Sequence, residues 1–288
     1  MTWLFEPGWW STPSVRTALL AGALVAAASA VVGVFTVIRG QSFAGHALTD
    51  VAVAGGSGAA YAGAPQLAGY LAATVLGAGA MEAIGEDRVR QRDVATGVVL
   101  GAATALAALF LYLTSTSSAV TGTTQTVLFG SLFFVPSSYL VLIAVASAAV
   151  VAIVAAIWRP LLIGSLAPEL ARSRGVRTGL VGAVFLATMA VAVGLSSVVV
   201  GSILSTALLI GPAASALRAR ASWSVTLGLS VVLGVVAAWL GVLLSYDSYD
   251  WIPSHRSVPV SACVVAVVVV EYALASLALG RGSRGRAS

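Results

Sequence analysis

Long apolar runs with at most one charged residue each follow one another from Val15 to Leu279, and the short breaks between them hold most of the charged residues. No other feature constrains the fold as much. A hydrocarbon core about 30 Å thick is crossed by about 20 apolar residues in helical form. Within it every backbone N–H and C=O must be bonded inside the spanning element, which leaves helices and closed barrels. Barrel strands alternate apolar and polar side chains, whereas these runs are continuous. The chain therefore reads as all-α, a polytopic transmembrane helical bundle. Composition agrees: 59% of the 288 residues are hydrophobic and 9% are charged, against about 25% charged in soluble domains. The mean hydropathy is +1.01.

About nine spans are expected, over residues 15–38, 42–62, 67–84, 94–113, 139–157, 179–200, 202–217, 223–244 and 258–279. The segment 202–217 is short and broken by Gly211-Pro212, so it is a kinked span or a re-entrant half-helix, the latter leaving eight. Residues 1–14 mix Trp3, Phe5, Trp9 and Trp10 with Pro7 and Gly8, an interfacial pattern, and lack the positive start of a cleavable signal. Residues 15–280 form one transmembrane domain, and 281–288, with Arg281, Arg284 and Arg286, form a polar, disordered tail. Asp93 is placed to cap the fourth span, and Trp158-Arg159-Pro160 to end the fifth. Thr114 to Ser138 reads as a loop with a short re-entrant or surface helix near Leu128-Phe129-Gly130. Between 165 and 176 the chain turns amphipathic. Pro168 and Glu169 signal a helix start and Arg174-Gly175 a stop, giving a short helix on the membrane surface.

The basic residues are all arginine, 15 of them against 10 acidic residues. Nine spans in alternation place the arginines at 39, 88–92, 159–177, 218–220 and 281–286 on one side, leaving Arg16 and Arg256 on the other. That side is cytoplasmic by the positive-inside rule, so the C-terminus lies inside and the N-terminus outside a plasma membrane. The arginines do not cluster on a soluble module, which argues against nucleic acid as a partner. The single Cys263 lies in an apolar run and reads as packing.

His46 and Asp50 stand four residues apart within 42–62. A helix puts both side chains on one face, one turn apart. Polar groups at this depth are costly unless they pair or bind something. Three readings stay open: helix packing through hydrogen bonds, a transit site for Zn²⁺ or Mn²⁺ made of one nitrogen and one oxygen donor, and a proton relay. Glu82 lies about a turn from the arginine cluster, where snorkelling toward it competes with function. Glu271, well inside the last span, reads either as an interhelical partner or as a residue behind the ligands. Asp247, Asp250 and His255 fall in an external loop, either as solvated charges or as an ion-collecting patch. The glycines at 55, 56 and 58 allow close helix approach. No phosphate-binding loop and no nucleophile–base set is present, so the chain reads as a transport subunit and not an enzyme.

Four segments carry a resemblance. Val37-Ile38-Arg39 through Gly45-His46-Ala47-Leu48-Thr49-Asp50-Val51-Ala52, then Leu128-Phe129-Gly130-Ser131-Leu132, then Pro168-Glu169-Leu170-Ala171-Arg172 to Gly175-Val176, and last Val200-Gly201 through Ala207 to Ala214. Together they resemble the permease subunit of bacterial zinc/manganese and chelated-iron ABC importers, the ABC-3 family. The resemblance implies a fold related to metal-chelate and cobalamin permeases, working as a homodimer in the bacterial inner membrane. It implies a cytoplasmic ATPase that binds the ATP, an external metal-binding protein, and no resident cofactor. By the same resemblance His46 and Asp50 are the ligands, in the reverse of the family's Asp-then-His order, and Pro168, Glu169, Leu170, Ala171, Arg172, Arg174 and Gly175 belong to the helix that couples to the ATPase. A permease for a metal chelate, or a proton-coupled carrier running through Asp50, Glu82 or Glu271, is the alternative.

Overall fold

A computed structural model describes residues 9, 11–84, 89–116, 127, 129–130, 132–134, 136–219, 221–251 and 258–284. Among these the regular structure is helical, with no strand. The helices are α1 (Pro13–Ile38), α2 (Ser42–Tyr61), α3 (Gln66–Ile84), α4 (Val89–Thr116), α5 (Ser137–Leu166), α6 (Pro168–Ser173), α7 (Thr178–Val199), α8 (Ser202–Arg218), α9 (Trp223–Trp251) and α10 (Val260–Arg284), with a 3-10 turn at Leu132–Phe134. Seven of them, α1, α3, α4, α5, α7, α9 and α10, are long and apolar enough to cross a membrane. The other two long helices are weaker candidates: α2 is diluted by His46, Asp50 and its glycines, and α8 is short.

α1 is the axis of the bundle. It packs on α9, α5, α8 and α7, burying Val25, Val32, Phe35 and a series of alanines. Beside it α2 lies mainly against α3 and α4, and α3 leans on α7. α10 closes the other flank against α8 and α9. Small residues make these approaches possible. A Cβ on Gly55 would run into the carbonyl of Gly69, and one on Gly69 into the carbonyl of Gly55, so α2 and α3 meet backbone to backbone. The outward faces are apolar, as lipid requires: Val94, Val98 and Leu109 on α4, Val141 and Val145 on α5, Val269, Leu274 and Leu277 on α10. Buried hydroxyls such as Thr36, Ser57 and Thr74 donate to carbonyls one turn earlier in their own helix.

Helix ends follow the local signals. Gly40 takes φ +66° after α1, with its N–H on Val37 C=O and the Gln41 N–H on Thr36 C=O. Gly175 repeats this after α6 at φ +75°. Both are left-handed glycine stops that satisfy carbonyls otherwise left open.

Several boundaries differ from the expectation. α5 does not end at Trp158-Arg159-Pro160 but runs through Pro160 to Leu166. One proline costs a single backbone bond, which the rest of a 30-residue helix tolerates. Likewise α8 is one helix with Pro212 inside it. α4 begins at Val89, so Asp93 lies inside the helix and does not cap it. α9 continues to Trp251, which takes Asp247 and Asp250 out of the expected loop and into its last turns. α10 extends helix through Arg284, into the segment expected to be disordered. The surface helix is shorter than 165–176, spanning Pro168–Ser173. Leu128, Ser131, His255 and Arg256 lie outside the described residues.

Candidate functional site

α2 presents His46 and Asp50 from one helix to two different neighbours. His46 Nδ1 lies 3.3 Å from Thr206 Oγ1 on α8. The Thr104 hydroxyl on α4 donates to Asp50 Oδ2 at 2.8 Å. Thr49, between them, donates its hydroxyl to the His46 carbonyl at 2.6 Å and sits 3.5 Å from the Thr206 hydroxyl. His46 is exposed and Asp50 half-buried, so both reach open space beside α2. The imidazole and the carboxylate are each oriented by a hydroxyl, and among the described residues Nε2 and Oδ1 have no hydrogen bond. Hydroxyls behind a ligand fix its orientation in this way. Among the described residues no three His, Cys, Asp or Glu side chains come together to hold a metal. The pair plus threonine oxygens is what the described residues bring together here.

Sequence reasoning missed Thr104 and Thr206. Threonine recurs through the apolar helices, and only its neighbours reveal which ones face the pair.

The remaining expected residues are dispersed. Both carboxylate oxygens of Glu271 are shielded, with no hydrogen-bond partner among the described residues. Its neighbour Tyr272 is covered by Arg218, which stacks on the ring at 4.6 Å and donates to the hydroxyl. Asp247 is 4% exposed, so it is not a solvated loop charge. Asp250 occupies the end of α9. In α6, Ala171 is buried while Pro168, Glu169, Leu170 and Arg172 are exposed, as are Arg174 and Gly175 just after it, so the helix stands on one small residue and turns the rest outward.

At the end of the bundle that holds α6, a cavity of about 100 Å³ is lined by Arg39, Gln41, Met81, Glu82, Arg92 and Asp93, among others. Glu82 therefore does lie with arginines, as its place in the sequence implied. Arg39 is half-buried: Nε donates to Gln41 Oε1 at 3.1 Å, Nη1 to Ser165 Oγ at 3.4 Å, and the guanidinium lies 5.5 Å from the Phe185 ring centre. Burial, and secondarily the Arg92 charge, lower its pKa, with Glu82 opposing.

Two of the motif segments meet in space. Gly130 (φ +84°) lies against the backbone at Val200-Gly201, where a Cβ would stand 2.5 Å from the Val200 carbonyl carbon. The Val127 carbonyl accepts from Ser202 Oγ at 3.1 Å and from Tyr70 Oη at 3.4 Å, tying this corner to α3 and α8.

The same chain architecture occurs in solved structures: PsaBC from Streptococcus pneumoniae in complex with Fab superposes with a TM-score of 0.79 at 22% identity, over 93% of each chain. In sequence, the manganese import system permease protein ScaB of Streptococcus parasanguinis is 26% identical over 90% of this chain and 88% of its own. The manganese transport system membrane protein MntC of Listeria monocytogenes is 28% identical over 84% of this chain and 85% of its own. The ABC 3 transport family matches residues 11–278, which reaches from the residues ahead of α1 into the last helix and takes in both α2 and α6, and the chain belongs to that family.

Proposed function

We propose that the chain is the membrane permease subunit of an ATP-driven importer of a divalent metal ion, with manganese as cargo and His46 and Asp50 as its transit ligands. The observation that carries this is the geometry of the pair: one imidazole and one carboxylate on one face of α2, each oriented by a threonine from another helix. Manganese is favoured over zinc by the oxygen-rich surroundings of the single imidazole, and by the names of the relatives. An incomplete set of protein ligands suits a site that must release what it binds.

The remaining parts follow from this reading. α2 and α8 cross the membrane with the seven more apolar helices, giving nine crossings with the N-terminus outside. Arg39, Arg92 and α6 then lie at the cytoplasmic end. There α6 offers its outward residues to a partner ATPase, which does the hydrolysis. An external metal-binding protein delivers the ion, and two copies of the chain frame the path. The second reading, a proton-coupled carrier, is favoured by one observation, the Glu271 carboxylate without a hydrogen-bond partner among the described residues. It needs no ATPase.

The test is uptake of radioactive manganese into proteoliposomes holding the permease with its ATPase, with the metal-binding protein supplied. His46→Ala and Asp50→Ala are each expected to abolish uptake while assembly and ATP hydrolysis persist. Wild-type uptake in both variants would sink the site assignment. Uptake driven by a pH gradient without ATP would instead establish the carrier.

A further inference from the structure

We infer that Arg39 is a positioning residue that ties the root of the ion-binding helix α2 to the root of the surface helix α6, so that movement of one is felt by the other. The inference rests on the permease reading above. Arg39 caps α1, and α2 begins three residues later. The intervening Gly40 is exposed and a Cβ there would meet nothing within 4 Å, so packing does not hold this corner. α1 and α2 barely touch, and α2 does not pack substantially on α5 or α6. Backbone bonds from Gly40 to Val37 and from Gln41 to Thr36 shape the corner, and the guanidinium is what ties it across to α6. It reaches back to Gln41, the residue that precedes α2, and across to Ser165, two residues before the Ala167 that precedes α6.

The third contact fixes the strut itself. Phe185 of α7 stacks beneath Arg39 and stands edge-on to Phe35 of α1, with ring centres 6.3 Å apart. Gly182, one turn earlier on α7, leaves the space: a Cβ there would come 3.3 Å from Arg39 Nη2. A planar fork with donors in two directions can join two acceptors while its face lies on a ring, and a lysine ammonium cannot hold that arrangement. From Gln41 to His46 is little more than one helical turn, so the strut sets the height of the imidazole relative to α6. Arg39 touches no ion in this scheme. It acts through the helix.

The experiment measures manganese imported per ATP hydrolysed, and manganese bound at equilibrium, for the reconstituted wild-type complex and for Arg39→Ala and Arg39→Lys. Both variants are expected to bind manganese as the wild type does and to hydrolyse ATP. The imported metal per ATP falls about tenfold, a change typical of coupling between sites. A wild-type ratio in Arg39→Ala overturns the inference, and so does full rescue by Arg39→Lys, which would reduce Arg39 to a charge. Should Arg39→Ala not assemble, Ser165→Ala and Gln41→Ala carry the test, since each deletes one acceptor; wild-type ratios in both overturn it. A wild-type complex that imports no metal with ATP would fault the permease reading instead.

Discussion

At the residue scale the decisive groups are hydroxyls. Thr104 holds one oxygen of Asp50, and removing that donor leaves the carboxylate free to turn. Losing such a partner costs about 10–100-fold in metal affinity in known sites. Thr104→Val is therefore expected to weaken manganese binding by about tenfold while leaving the complex intact, as read by equilibrium dialysis of the purified protein. An unchanged dissociation constant would show that Thr104 serves packing alone. The His46–Asp50 pair was legible in the sequence because its residue types are rare in apolar runs and their spacing fits a helix. The threonines were not legible. Thr74 and Thr188 share their type and setting but bond back to their own helices, and Thr36 adds only a contact to Met189 Sδ.

At the scale of the element, close approach through glycine is the main device. Gly55→Val on α2 would push a branched side chain into the Gly69 backbone and force α2 from α3. Overpacking of this kind costs about 1–3 kcal/mol or more. Gly97→Ala on α4, where a Cβ meets open space, is expected to be neutral or stabilising by about 0.5–1 kcal/mol. Thermal unfolding in detergent distinguishes the two, and equal melting temperatures would refute the packing argument. Hydropathy located most of these helices but misplaced their ends, for a physical reason. An apolar run records the thickness of the hydrocarbon, not the length of the helix. Where α9 leaves the hydrocarbon its hydrogen bonds continue through Tyr246, Asp247 and Ser248, which a polarity reading assigns to a loop. Pro160 misled in the same way, since a long helix absorbs one missing bond.

At the scale of the molecule, the arrangement around α1 was not legible, because one sequence does not say which apolar face meets which. The position of the surface helix was, since Pro168 and Gly175 bracket it with start and stop chemistry. Its outward residues make a further prediction. Leu170 is 48% exposed, and Leu170→Asp is expected to abolish co-purification of the ATPase while manganese binding to the permease persists. Retention of the ATPase would locate the docking surface elsewhere.

The weak hydropathy of α2 has a consequence for how the protein is made. On insertion scales a central aspartate costs about 2.5–3.5 kcal/mol, and α2 carries a histidine and several glycines besides. α1 is apolar enough to partition into lipid on its own, whereas α2 is expected to need α3 and α4, the helices it packs on most. A translocon insertion assay on the isolated α2 segment should therefore record failure to span, and efficient insertion would contradict this order. α2 would then take its place only once α3 and α4 have emerged, later than its position in the chain alone would set.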